Sequence, residues 1–280
     1  MTNRTMESVK IHRVRARRGW QGLEFRELWE RRELLWFLAW RDIRVRYKQT
    51  LLGASWAVMQ PFLQMVVFSI FFGELLNISS EGLPYPVFSF SALVPWTLFT
   101  AIVSGSALSL TGNAGILTKV YFPRLLIPFS NAVARLVDFG VALVILLIMI
   151  LLFGIPLGTP LILLPVFLAL LLICGLGVGL WLGAVNVHYR DVQVLVPFLL
   201  QLWMYASPVV YSTKMIVNPI LKVLFNLNPM VGVLQGFRWC LLGTEPPGPE
   251  MLISSAVALI FLVSGLVVFQ RVQRNMADIV

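Results

Sequence analysis

Past residue 50 the chain alternates between long apolar runs and short polar connections. Six runs approach the roughly 20 residues that a helix needs to cross a hydrocarbon core. They occupy 51–72, 87–110, 128–153, 161–185, 192–210 and 252–269. The first contains Gln60-Pro61, where a helix loses a backbone donor and is expected to kink, with neighbouring helices taking up the freed groups. The connection after the fifth run, 211–250, breaks the alternation. It holds two apolar stretches, 216–227 and 229–242, each too short to span and too apolar for a loop in water. Such segments re-enter the membrane or cap a cavity at its surface, and Asn228-Pro229 marks the turn between them.

Ahead of the runs lies a different pattern. From Leu23, the leucines at 28, 34, 35 and 38 fall near one helical face, with Glu27, Glu30, Arg31 and Arg32 on the other. Trp29, Trp36 and Trp40 add rings suited to the headgroup zone. The segment reads as an amphipathic helix on the inner leaflet, running into the basic stretch Arg41–Lys48. The expected organisation is a basic cytoplasmic segment (1–22), the interfacial helix and basic linker (23–50), a six-span domain (51–270, including the external 211–250 region) and a cytoplasmic tail (271–280).

Composition supports the membrane reading: 58% of the 280 residues are hydrophobic and 12% are charged. A water-soluble chain could not hide that much apolar surface in one core, which excludes a soluble enzyme. The formal charge of +9 would suit nucleic acid, but its distribution points elsewhere. Thirteen of the 22 Lys and Arg precede residue 51, where six acids leave a balance of +7. This run is too long for the n-region of a signal peptide. The connections after spans one and three carry no Lys or Arg, whereas Lys119 and Arg124, Arg190, and Arg271 with Arg274 follow spans two, four and six. By the positive-inside rule both termini are cytoplasmic.

Chemistry-bearing motifs are scarce. No G-x-x-x-x-G-K-[ST] loop, H-E-x-x-H pair, nucleophile elbow or Asp-rich cluster occurs. His12 and His188 lie far apart, and Cys174 and Cys240 sit in separate apolar segments, so no metal or disulfide framework is indicated. Ionisable groups are almost missing from the spans, which disfavours ion coupling. The exception is Arg135 with Asp138, one helical turn apart in span three: either a functional site or a self-neutralising pair near the inner headgroups. Gly175, Gly179 and Gly183 form a small-residue stripe that admits a closely packed helix. Trp56, Gln60 and Gln64 share one face of span one, and Gln201 and Tyr205 share a face of span five. Amides mixed with rings fit a pathway for sugars, whose hydroxyls bond amides and whose C–H faces stack on rings. Inter-helix hydrogen bonding fits them as well.

Several strings, in order along residues 30 to 275, resemble the permeases of polysaccharide-exporting ABC transporters: the Wzm-type O-antigen exporters and their teichoic-acid and capsule relatives. They are Trp40-Arg41-Asp42-Ile43-Arg44-Val45-Arg46-Tyr47-Lys48-Gln49-Thr50-Leu51-Leu52-Gly53 with Trp56 and Pro61, Lys119-Val120-Tyr121-Phe122-Pro123-Arg124, and Tyr189-Arg190-Asp191-Val192. The last are Ser207-Pro208-Val209-Val210-Tyr211 and Leu227-Asn228-Pro229. The resemblance implies an all-α type-2 ABC exporter fold. It also implies a homodimer with two copies of a separate ATPase, which would hold the ATP and Mg while this chain binds no cofactor. The implied substrate is a glycan on undecaprenyl pyrophosphate in the cytoplasmic membrane, with no nucleic-acid partner.

It further implies a gate in the helix before span one, ATPase coupling through Lys119, Tyr121, Phe122, Pro123, Arg124, Tyr189, Arg190 and Asp191, and an outer constriction after span five, near Tyr211. Arg41, Arg44, Arg46 and Lys48, at headgroup level, are the expected entry for the lipid pyrophosphate, since guanidinium forks match phosphate oxygens. Two alternatives stay open. One is a type-2 exporter for drugs or small lipids. The other is a membrane enzyme acting on polyprenyl phosphates, for which Asp42, Asp138 and Asp191 are too scattered to cluster a metal.

Overall fold

The structure is a computed structural model that describes residues 29–48, 55–113, 115, 122–189, 191–216 and 218–275. Among these residues every regular element is helical. The helices are α1 (Arg32–Tyr47), α2 (Ser55–Phe68), α3 (Tyr85–Ala107), α4 (Leu126–Leu152), α5 (Leu164–His188), α6 (Val192–Tyr205), α7 (Pro219–Asn226), α8 (Pro229–Leu242) and α9 (Met251–Asn275). Helix α2 contains Pro61 and runs on as a π-helix, Ser69–Leu75. Among the described residues five helices are long and apolar enough to cross a membrane, and the α7–α8 pair, bent by 91°, makes a sixth if counted as one span.

The expected span 192–210 is shorter than its apolar run. Helix α6 has 14 residues and stops at Tyr205. Pro208 disfavours helical geometry at Ser207, and the chain turns there, with Val209 N bonding Ser207 O at 2.7 Å. The freed carbonyl of Val210 accepts from the Tyr85 hydroxyl at 2.7 Å.

Helix α3 is buried along most of its length and forms the axis of the bundle. Several of its hydroxyls are satisfied within the helix, as when Ser91 Oγ donates to Phe88 O and Thr97 Oγ1 to Leu93 O, each at 2.8 Å. The glycine stripe of α5 lies on α3. A Cβ at Gly179 would come within 2.5 Å of Ser106 Cβ, and one at Gly183 within 2.8 Å of Ser106 O. A second close approach went unseen in the sequence: a Cβ at Gly177 would sit 2.5 Å from Leu262 N, and one at Gly265 2.5 Å from Gly177 O. Helix α5 is therefore clamped between α3 and α9 by backbone-to-backbone contact.

Each helix of the bent pair opens on an Asn-Pro pair, and the second of these, Asn228-Pro229, makes the bend. Asn218 and Asn228 cap the helices, their Oδ1 atoms accepting from Ile220 N at 2.9 Å and Met230 N at 3.0 Å, with proline at the first helical position. Asn228 also accepts from Trp203 Nε1 at 2.9 Å and donates to Ser207 Oγ at 2.8 Å, which pins the bend to the end of α6. Gly243, at φ 66°, closes α8 in the left-handed conformation.

Candidate functional site

Chain direction gives the bundle two distinct ends. One carries α1 and the ends of α3 and α5; the other carries the α2–α3 loop, the α7–α8 bend and the start of α9.

At the α1 end the basic stretch is helical as far as Tyr47. The interfacial-helix reading from residue 23 is described only from Trp29 onward. Leu34, Leu35 and Leu38 turn inward onto Phe122, Leu126 and Ile127, while Trp29, Trp36, Phe37 and Trp40 are exposed. The leucine face thus docks on the bundle, and the aromatic face is free for the headgroup zone.

The four cations proposed for substrate entry divide into two kinds. Arg41 donates to Asp42 Oδ1 (2.8 Å from Nη2) and to Asn113 Oδ1 (3.1 Å). Arg46 donates to Asp138 Oδ2, and the Tyr47 hydroxyl donates to Asp138 Oδ1. Arg44 lies over the Trp40 ring at 5.6 Å and is exposed, as is Lys48. The Arg135–Asp138 pair read from spacing is present but long, at 3.8 Å. Asp138 takes its shorter contacts from α1, 91 and 92 residues away in sequence. One carboxylate thereby gathers two guanidiniums and a phenol, leaving the cluster net positive. Burial, then the hydrogen bond to Asp138 and its charge, pushes the Tyr47 phenol up to about 12.

The implied coupling residues are partly visible. Lys119, Tyr121 and Arg190 lie outside the described residues. Phe122 is buried under α1, Pro123 is half-buried, and Arg124 donates to the Gln273 carbonyl of α9. Tyr189 and Asp191 are exposed at the same end. Within the bundle, Gln64 Nε2 lies 3.3 Å from Met204 Sδ, which sets the amide face of α2 beside α6. Both helices run away from the α1 end, so Gln60 and Gln201, about one turn back, share a level, and both are exposed. The side chain of Trp56 lies outside the described residues; Tyr205 is exposed, and the Tyr211 hydroxyl reaches the Tyr205 carbonyl at 3.3 Å.

The opposite end holds a polar network that sequence reasoning missed. Lys214 Nζ pairs with Glu81 at 3.2 Å and Glu245 at 2.9 Å, and Lys222 Nζ pairs with Glu250 at 2.8 Å. Ser212 Oγ donates to Glu81. Arg238 is buried in α8, donating to the carbonyls of Val209 (2.8 Å) and Tyr211 (3.2 Å), with Cζ 3.7 Å from the Phe88 ring centroid. The available signal was an arginine inside an apolar stretch, which must find partners on other elements. No group of three His, Cys, Asp or Glu able to hold a metal occurs among the described residues.

A bundle of apolar helices with a basic, aromatic-rimmed end and a bent helical pair at the other is the architecture of a multi-pass membrane protein. Residues 33–242 match the family model of the ABC-2 type transporter, and the chain belongs to that family. It is 30% identical over 256 residues to the O-antigen export system permease protein RfbA of Myxococcus xanthus, covering 90% of this chain and 97% of the relative. Klebsiella pneumoniae RfbA is 25% identical, covering 88% and 95%. The polysialic acid transport protein KpsM of Escherichia coli is 24% identical, covering 84% and 92%.

Proposed function

We propose that the chain is the permease subunit of an ATP-driven exporter that moves a polysaccharide, carried on undecaprenyl pyrophosphate, across the cytoplasmic membrane. It acts as a homodimer with two copies of a separate ATPase, both termini cytoplasmic. The observation that carries the reading is similarity along almost the whole chain to permeases named for O-antigen and polysialic acid export.

The geometry supplies parts that such a task needs. Arg44 and Lys48 stand open at the level where a lipid pyrophosphate is gathered, while Arg41 and Arg46 hold the interfacial gate helix α1 in place. The Gln60–Gln64 and Gln201–Tyr205 faces offer amides and a ring to a passing glycan. Helices α7 and α8 form a re-entrant pair at the outer exit. The connections at 113–124 and 188–191 meet the ATPase.

The deciding experiment is complementation. In a host strain deleted for this gene but retaining its ATPase, the chain restores surface polysaccharide, and the deletion accumulates the lipid-linked polymer inside. Normal polymer display in the deletion strain, with altered drug or lipid efflux instead, would replace this reading by the small-molecule exporter.

A further inference from the structure

At the end opposite α1, behind the bent pair, lies a cavity of 360 Å³. That volume falls in the size range of small-ligand sites. Its wall carries Glu81, Glu245, Glu250, Lys214, Lys222 and Arg238. Three acids and three bases cancel, and the two lysines are already paired with the acids. Such a wall selects neither a free anion nor a free cation. It suits an uncharged ligand able to donate and accept hydrogen bonds at many points.

Two side chains of the wall each keep one polar atom closed off from the cavity. Among the described residues, the Nε of Arg238 and the Oδ1 of Asn226 are buried without a hydrogen bond, on residues only 4% and 2% exposed. One is a donor and the other an acceptor, and buried polar atoms left unpaired are rare because each costs its hydration. The Arg238 side chain is otherwise fixed by the Val209 and Tyr211 carbonyls and the Phe88 ring, so its Nε–H is held in one orientation. A ligand hydroxyl, which both donates and accepts, matches the carboxylates, ammonium groups and amide that the wall presents. Gln235, Thr213 and Thr244 extend the same uncharged polar lining.

We infer that this cavity is a binding subsite for an uncharged sugar unit of the glycan as it leaves the membrane. The inference rests on the reading of the chain as a polysaccharide permease. The subsite would hold the emerging polymer between transport strokes and oppose its backsliding.

The test uses the full permease–ATPase complex in nanodiscs. Cysteines are placed at Thr244, in the cavity wall, or at Ser79, on the neighbouring loop and outside it. Both native cysteines are buried and remain in place. Labelling by a membrane-impermeant maleimide is timed with and without lipid-free polysaccharide released from the host surface by mild acid.

The expected result is saturable protection of Thr244→Cys, roughly tenfold at ten times the dissociation constant, with none at Ser79→Cys. Adding Gln235→Leu should weaken the protection by up to about tenfold. Equal labelling of Thr244→Cys with and without polysaccharide overturns the subsite, as does equal protection at both positions, which would mean crowding. Export by each cysteine variant in cells is scored separately. Failure of the wild-type chain to export tells against the permease reading, whereas the labelling ratio alone decides the cavity.

Discussion

Asp138 of α4 is a carboxylate that ties α1 to the bundle, so Asp138→Asn should loosen α1 without unfolding the spans. The substitution keeps shape and removes the charge that Arg46, Tyr47 and Arg135 share. Removing one partner of a buried charged pair costs about 3–5 kcal/mol. Here the Asp138 and Arg46 side chains keep 17% and 25% exposure, so solvent relieves part of that cost. The leucine contacts of α1 on Phe122, Leu126 and Ile127 stay intact. A loss of about 2–3 kcal/mol in docking follows, or roughly 30- to 160-fold in the opening equilibrium.

The assay is amide hydrogen exchange over Leu38–Tyr47 in the purified permease, with α3 and α5 as internal references. Tyr47→Phe should give a smaller acceleration, and the double variant should add little to Asp138→Asn, because the two groups act through one contact. A pH series gives an independent check. The docked Tyr47 phenol keeps its proton to about 12, whereas the undocked one loses it near 10. Between those values the docked state binds more protons, so docking holds below about pH 10 and weakens as pH rises through the window. Tyr47→Phe should abolish that loss. Unchanged α1 exchange in Asp138→Asn would refute the argument.

Other expectations follow from the same geometry. Gly177→Ala should lower the thermal midpoint of the detergent-solubilised permease by the equivalent of about 1–3 kcal/mol, because its Cβ meets the α9 backbone at 2.5 Å. Gly140→Ala, with nothing within 4 Å, should be neutral or gain up to about 1 kcal/mol. Cysteines at Ser79 and Tyr189, at opposite ends of the bundle, should label from outside and inside respectively in intact cells; outside labelling at Tyr189 would reverse the proposed orientation. Arg44→Gln should cut export about tenfold or more at matched membrane abundance with α1 exchange unchanged, whereas Arg46→Gln should change both. Wild-type export by Arg44→Gln would leave the exposed cations as a lipid anchor only.

The sequence by itself determined what depends on short-range pattern. Apolar run length placed five of the six expected crossings in order, Lys and Arg in the connections set an expected orientation, and Asn228-Pro229 marked the bend. Each rests on residues within a few turns of one another, so no fold is needed to evaluate it. The stripe Gly175, Gly179 and Gly183 announced a close helix contact, but only the packing decided that α3 fills it. It also decided that Gly177 and Gly265 clamp α5 to α9 on another face.

Asp138 shows the limit most clearly. Spacing offered Arg135 as its partner, yet the shorter contacts come from Arg46 and Tyr47, on a helix separated from it by two spans. The apolar run 192–210 looked like a full crossing, and Pro208 with the Tyr85–Val210 bond ended its helix early. Arg238, Glu81 and Lys214 come from three separate segments, and no local pattern links them. Long-range pairing is a property of which helices become neighbours. In a bundle held together by close packing, that choice belongs to the fit of whole surfaces rather than to any one segment.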